Sequence, residues 1–342
     1  MTALEQLEKH LSECGFRRVL VITDENVDSF YPYYFDCLKA AFDVESVVVP
    51  SGEASKSIET AARLWRSLAE KCHDKNTFIV NFGGGMVSDL GGFVASTYKR
   101  GLHYANMPTT LMAMIDASVG GKTAVNIDGL KNAVGTFHFP DIVFKPDMKF
   151  LDTLPKRELE SGFGELVKYA MIGSPGLFAE LYGMSGLCAK AIKQEWISFC
   201  IELKNDIVKK DPYDNGMRHV LNFGHTIGHA IESLSAEIEE PVSHGLAVAQ
   251  GMFYESYLSY KKAGLPEEGW KKTASFLSSH FGIRKITEEN FGKMTRFLLN
   301  DKKNEGGAVN FTLLREIGEP VTDCSLRLEE LAELLTKTDF QI

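Results

Sequence analysis

The chain has no Cys-x-x-Cys pair, no run of Lys and Arg, no internal repeat, and no apolar stretch near the roughly 18 uncharged residues that a membrane helix needs. Each absence closes off a class of protein. The six cysteines, Cys14, Cys37, Cys72, Cys188, Cys200 and Cys324, lie far apart, which argues against both a zinc ribbon and a disulfide framework and leaves reduced thiols as the expectation. Acidic residues outnumber basic ones by 46 to 37, a net charge of −9, so a non-specific nucleic-acid or membrane-surface binder is disfavoured. The opening MTALEQLEKH lacks the basic-then-apolar pattern of a secretory leader, and a soluble, cytoplasmic protein is expected. What is present is ordinary globular composition, 44% hydrophobic and 24% charged over 342 residues, with length for two domains.

Apolar runs of strand length occupy residues 18–23, 44–49 and 77–82, and in residues 57–72 Ile58, Ala61, Leu64, Leu68 and Ala69 fall at helical spacing. This order predicts an α/β domain with a mostly parallel sheet. After about Leu154 strand signals thin out, and amphipathic stretches at 158–172, 189–209 and 219–234 predict a helical second half. Pro146 and Pro155 bracket the change of pattern, giving expected domains of 1–150 and 151–342.

Several segments carry side chains competent for chemistry. VNFGGGMVSD, residues 80–89, follows a strand and opens a helix; its glycines would let backbone N–H groups approach a pyrophosphate, although Ser88 stands where the last glycine of GxGxxG belongs. It reads as a dinucleotide loop or as a ligand-free turn. His225 and His229 lie at i and i+4 in NFGHTIGH, with His244 following in PVSHG. They read as metal ligands or as surface and core histidines, and the missing HExxH glutamate disfavours a zinc protease. Glu165 and Lys168 in GELVKYAMI sit in an otherwise apolar helix, as an i, i+3 ion pair or around a metal. Lys122 in VGGKT ends an incomplete P-loop, since Asp116 stands where the first glycine belongs; nucleoside triphosphate binding is disfavoured and a phosphate-binding lysine stays open. Arg100, Lys131, Lys204, Arg218, Lys302 and Lys303 are further cations that, if convergent, would suit a small anion with more than one acidic group.

Taken together the motifs resemble one family. They are PSGEASKS (50–57), GGGMVSD (83–89), YKRG (98–101), PTTLMAMIDASVGGKT (108–123), GLKNAVGTFHFP (129–140), FLDTLPKRELESGFGELVKYAMI (150–172), RHVLNFGHTIGHAIE (218–232), SHGLAVAQGM (243–252) and NDKK (300–303). In this order, from about Asp24 to Lys303, the chain is similar to the 3-dehydroquinate synthases among the sugar-phosphate cyclases. The resemblance implies a Rossmann-like N-terminal domain, an all-α C-terminal domain, tightly bound NAD, a divalent metal (zinc or cobalt) and a homodimer.

It also implies residue roles. Glu165, His225 and His244 would hold the metal. Asp24, Asn26, Glu53, Lys56, Gly84, Gly85, Asp89, Thr109, Thr110 and Lys131 would meet the cofactor. Substrate phosphate would meet Lys122, Asn132, the Lys302 and Lys303 pair, and Arg100 reaching across a dimer. The substrate carboxylate and hydroxyls would meet Asp116, Lys168, Lys204, Arg218 and Asn222, with His229 as a proton-transfer or phosphate contact. Of these, His229, Lys122, Asp116 and Lys168 would form the catalytic group. The implied reaction turns 3-deoxy-D-arabino-heptulosonate 7-phosphate into 3-dehydroquinate and phosphate, a step of the shikimate pathway to aromatic amino acids. Hydride is removed and returned around a phosphate elimination and an aldol closure. Departures at Leu246, Ala124 and residues 211–218 bear on rate more than on reaction type. The rival readings are a sister cyclase acting on a neutral sugar phosphate, a metal-dependent polyol dehydrogenase on the related fold, and a non-catalytic NAD-binding scaffold.

Overall fold

The run RVLVIT becomes the strand β1 (Arg18–Asp24), buried from Val19 to Asp24, and such burial on both faces is what a central strand of a parallel sheet requires. A computed structural model describes residues 1–128, 130–184, 186–299, 308–338 and 340, and the chain divides into two units, Met1–Pro155 and Lys156–Ile342. In the first unit α1 (Ala3–Cys14) precedes β1, and α2 (Glu25–Phe30), β2 (Asp43–Val49), α3 (Ile58–Glu70), β3 (Thr77–Gly83), α4 (Gly85–Thr97) and β4 (His103–Pro108) follow. The antiparallel hairpin of β5 (Lys122–Ile127) and β6 (Leu130–Phe137) and the short β7 (Ile142–Val143) complete it. The sheet runs β2-β1-β3-β4-β7, all parallel. Leu20, Ile22, Ile79, Leu64, Leu68 and Leu90 are its packed interior, and each such side chain contributes roughly 1.5–3 kcal/mol of burial. The unit runs on to Pro155 because Phe150 packs its ring 5.0 Å from Tyr31 and 5.5 Å from Phe82.

This strand order sets where a ligand can bind. β1 and β3 are neighbours, yet the chain leaves β1 toward β2 and leaves β3 toward β4. The loops at their carboxyl ends therefore part, which opens a crevice there.

The second unit comprises α5 (Lys156–Gly173), α6 (Pro175–Tyr182), α7 (Gln194–Lys210), α8 (His225–Glu237), α9 (His244–Lys262), α10 (Glu267–Phe281), α11 (Glu288–Leu299), β8 (Ala308–Glu316), β9 (Glu319–Arg327) and α12 (Leu328–Thr336). It is centred on α9, buried continuously from Ala247 to Ser259. The stretch expected as one helix from 219 is a 3-10 turn, Met217–Asn222, followed by α8, because Gly224 breaks the run at φ 79°. The helical domain also carries the antiparallel β8–β9 hairpin, turned at Gly318 with φ 93°. Among the described residues no helix is long and apolar enough to cross a membrane.

Candidate active site

Every loop that leaves the carboxyl end of strands β1 to β4 carries residues named for the cofactor. Asp24 ends β1 and caps α2, its Oδ1 accepting from the N–H of Asn26 at 2.9 Å and of Val27 at 3.2 Å. After β3 the chain enters α4 through Gly84 with no side-chain cap among the described residues, so the first N–H groups of α4 suit an anion. Bulk is excluded there: a Cβ on Gly84 would lie 3.0 Å from Thr110 Cγ2. Beside this turn, Thr109 donates its N–H to Gly83 O at 3.0 Å, while its buried Oγ1 has no hydrogen-bond partner among the described residues. A polar ligand would satisfy that hydroxyl.

After β2, buried Lys56 gathers a network. Its Nζ lies 2.5 Å from Asp89 Oδ2, 2.5 Å from Asn132 Oδ1 and 3.9 Å from Glu53 Oε1. Asn126 joins it, donating Nδ2 to Glu53 Oε1 at 2.9 Å and accepting the Asn132 N–H on Oδ1 at 2.8 Å. Asn132, linked by resemblance to substrate phosphate, thus shares its lysine with two residues linked to the cofactor, and Lys131 precedes it, exposed. Asp116 lies in the π-turn Ala113–Ala117, which brings Ala117 Cβ within 3.2 Å of where a Gly85 side chain would begin. Lys122 opens β5 opposite Phe137. Arg100 is different. It is exposed in the turn before β4, at the amino end of the sheet, and the six residues of β4 separate the two ends by about 20 Å. The unit does not bring Arg100 to the other residues.

In the helical unit the residues named for a metal converge. Glu165 on α5 is fully buried, and its Oε1 lies 3.3 Å from His225 Nε2 on α8 and 3.3 Å from His244 Nε2 on α9. Helices touching backbone to backbone allow this. A Cβ on Gly245 would meet Ser161 O at 1.7 Å, and one on Gly251 would meet Gly224 O at 1.9 Å, so α5 and α8 both press on α9 with no side chain between. The outer imidazole nitrogens are engaged, His225 Nδ1 3.2 Å from Phe223 O and His244 Nδ1 3.1 Å from Glu232 Oε2. Carbonyl and carboxylate oxygens only accept, so both Nδ1 atoms carry a proton and both Nε2 atoms face the Glu165 carboxylate. Neither Glu165 oxygen is in an aligned hydrogen bond among the described residues, and Lys168 Nζ stands 2.5 Å from Oε2. One buried carboxylate oxygen facing two imidazole nitrogens calls for a cation, and this oxygen–nitrogen set suits zinc or cobalt. His229, one turn along α8, completes a three-histidine group whose donor atoms lie within 4.8 Å of one another.

Electrostatics keep the Glu165 carboxylate charged. Burial alone would raise the Glu165 carboxyl, but Lys168 and His225 outweigh it and hold it well below the usual carboxylate range. Burial also opposes charge on His244, yet the carboxylates of Glu165 and Glu232, 3.3 and 3.1 Å away, push it up to about 10, so a metal would have to displace its proton. Burial, with Lys168, lowers His225. Burial, with His225 and His244, lowers His229, which therefore stays neutral near pH 7. Arg218 is buried, its N–H donating to Asp211 Oδ2 at 3.0 Å and its guanidinium to Pro212 O at 3.1 Å. Lys204 on α7 is buried as well, and Asn222 ends the 3-10 turn ahead of α8. Lys302 and Lys303 lie outside the described residues.

Residues 46–161 match the family described as 3-dehydroquinate synthase N-terminal, and residues 162–304 the family described as 3-dehydroquinate synthase C-terminal. The chain belongs to the 3-dehydroquinate synthase family. A 3-dehydroquinate synthase of Parabacteroides distasonis is 36% identical to it over 333 residues, 96% of this chain and 94% of that one. Among solved structures, 2-deoxy-scyllo-inosose synthase complexed with carbaglucose-6-phosphate, NAD+ and Co2+ superposes with a TM-score of 0.83 at 25% identity, covering 98% of this chain and 95% of that one. The 2-epi-5-epi-valiolone synthase of Streptomyces hygroscopicus, with NAD+ and Zn2+ bound, does so with a TM-score of 0.76 at 26% identity, covering 93% and 89%.

Two polar partners in this member of the 3-dehydroquinate synthase family escaped the sequence reading. Glu232 stands at i+7 from His225 and i+3 from His229, a spacing that puts all three on one face of α8, so a signal existed. Asn126 offered none, because its bonds to Glu53 and Asn132 join the β5–β6 hairpin to the distant turn after β2.

Proposed function

We propose that the chain converts 3-deoxy-D-arabino-heptulosonate 7-phosphate into 3-dehydroquinate and phosphate, as a cytoplasmic homodimer with neither nucleic acid nor membrane as partner. The observation that carries this reading is Glu165 Oε1 lying 3.3 Å from both His225 and His244 in a unit that also buries Lys168, Lys204 and Arg218. It is a set for a divalent cation in a unit rich in buried cations suited to an acid. When bound, NAD would remove and return a hydride, and the divalent cation would orient and acidify the substrate hydroxyl.

The chain's own residues bind and place these groups. Asp24, Asn26, Glu53, Lys56, Asp89, Thr109, Thr110, Lys131 and the glycine entry to α4 hold the dinucleotide. Glu165, His225 and His244 hold the metal. Arg218, Lys204 and Asn222 take the substrate carboxylate. Lys122, Asn132 and the Lys302 and Lys303 pair take the phosphate, with Arg100 supplied by the second copy of the chain, and holding both anionic ends fixes the orientation of what lies between. His229 serves as a proton-transfer or phosphate contact, while Asp116 and Lys168 position hydroxyls.

The test supplies trace NAD and excess heptulosonate phosphate. Phosphate release should continue through many turnovers per NAD while the absorbance of reduced nicotinamide stays near its starting level. NADH accumulating one for one with product would make the chain a dehydrogenase instead, and turnover of sedoheptulose 7-phosphate but not of the acid would make it a sister cyclase.

A further inference from the structure

The helix α8 starts at His225 without a side-chain cap of its own, because the capping position is Gly224. An ordinary cap of Ser, Thr or Asp cannot stand there. A Cβ on Gly224 would lie 2.4 Å from Met252 Cγ and 2.8 Å from Val248 O, and the φ of 79° already disfavours a side chain. The packing that brings α8 against α9 therefore removes the local cap. The first N–H groups of α8 are taken instead by a carboxylate from α9: Glu255, fully buried, accepts the Gly224 N–H on Oε2 at 2.6 Å and the Ile227 N–H on Oε1 at 2.9 Å. The tie is reciprocal, for Glu232 of α8 holds His244, the first residue of α9, at 3.1 Å. Each helix supplies the carboxylate that fixes the histidine-bearing amino end of the other.

We propose that Glu255 is a positioning residue of the metal site, setting the first turn of α8 against α9 and so the placement of His225 Nε2 relative to Glu165 Oε1 and His244 Nε2. It touches neither metal nor substrate and acts through the backbone on either side of His225. The proposal rests on the metal-site reading above. A cap on α8 alone would stabilise the helix but leave its rotation on α9 open, whereas a carboxylate anchored on α9 and bound to two backbone donors fixes both.

The test uses the full chain, stripped with chelator and titrated with Co2+ alone, as wild type, Glu255→Gln and Glu255→Asp. Gln keeps the size but turns an NH2 group toward a backbone donor, and Asp keeps the charge but withdraws it by one methylene. Both variants should retain NAD binding and wild-type far-ultraviolet circular dichroism. Their Co2+ Kd should rise roughly 10- to 100-fold, the cost typical of losing a partner that orients a ligand, and the visible absorption of bound Co2+ should change in position or intensity. A residue that only supports folding would lower Tm and leave Co2+ affinity and spectrum unchanged, which overturns the proposal. Failure of both variants to fold overturns it too, since Glu255 would then be a folding requirement. A wild-type chain that takes up no Co2+ fells the metal-site reading and the proposal together, while wild-type uptake matched by the variants fells the proposal alone.

Discussion

Lys168 stands one turn beyond Glu165 and brings its ammonium to 2.5 Å from Oε2, on the oxygen the two histidines do not face. Both side chains are buried, so the pair is neither a surface decoration nor a metal site alone but a charge balance around one carboxylate. Removing one partner of a buried pair leaves the other uncompensated, at a cost of about 3–5 kcal/mol. Lys168→Met should therefore destabilise the chain by at most about that amount without added metal, because His244 still faces the carboxylate, and by less with Zn2+, which would neutralise Glu165 in its place. Urea unfolding with and without Zn2+ measures both, and equal losses would show that the lysine and the cation do not share the carboxylate.

Glu165→Gln keeps the shape of this side chain and removes its charge. Co2+ affinity should fall by more than the roughly 10- to 100-fold that an orienting partner contributes, with NAD affinity unchanged. Equilibrium dialysis with Co2+ checks the first, and a Kd within threefold of wild type would remove Glu165 from the site.

The parallel sheet was legible because β1 and β3 are buried on both faces and so read as continuous apolar runs. The β8–β9 hairpin was not legible for a related reason: Phe311 to Leu314 are all buried, and a short unbroken run of this kind has no period to distinguish strand from helix. At the site, the i, i+4 spacing of His225 and His229 was visible, but the meeting of His225 and His244 with Glu165 was not. That meeting depends on Gly245 touching Ser161 and Gly251 touching Gly224, contacts between distant segments that no local pattern records. Only resemblance to a family pointed to it. Arg100 shows the opposite limit, since its motif carried over while its place at the amino end of the sheet did not.

Asp211 organises the loop that presents Arg218. Its carboxylate accepts N–H groups of Asn215 at 2.9 Å, Gly216 at 2.9 Å and Arg218 at 3.0 Å, and these bonds, first Asn215 and then Arg218, lower its pKa from 3.8 to about 2. A depressed carboxyl contributes stability that is complete above its unfolded value and is lost as pH falls through the folded one. The urea-midpoint difference between wild type and Asp211→Asn should thus be constant above about pH 5 and shrink between about pH 4 and 2. A gap of constant size down to pH 2 would mean that the loop is held by other bonds.

Arg218→Ala and Lys204→Ala should weaken substrate binding far more than NAD binding. Both cations are buried in the helical unit, and the cofactor residues belong to the α/β unit. Loss of one charged hydrogen bond should cost roughly 10- to 100-fold in affinity for a non-reactive substrate analogue. Titrating NAD and the analogue separately against each variant distinguishes the effects, and equal loss of both affinities would contradict the roles given.

Arg100 lies at the amino end of the sheet and the cofactor loops leave its carboxyl end, so if it serves a site, that site belongs to a second copy of the chain. The consequence is testable with two variants that should each be nearly inactive, Arg100→Ala and Glu165→Gln. In a mixed dimer, the site whose Glu165 is intact would receive Arg100 from the partner carrying Glu165→Gln. Random reassortment of equal amounts makes half of the dimers mixed, each with one of two sites restored, so activity should recover to about a quarter of wild type for a twofold-symmetric dimer. The variants should be mixed under conditions that exchange subunits, and phosphate release followed over time. If Arg100 acts within its own chain, no mixed dimer contains a complete site and activity stays at the level of the separate variants; a monomer by light scattering would exclude the cross-subunit role directly.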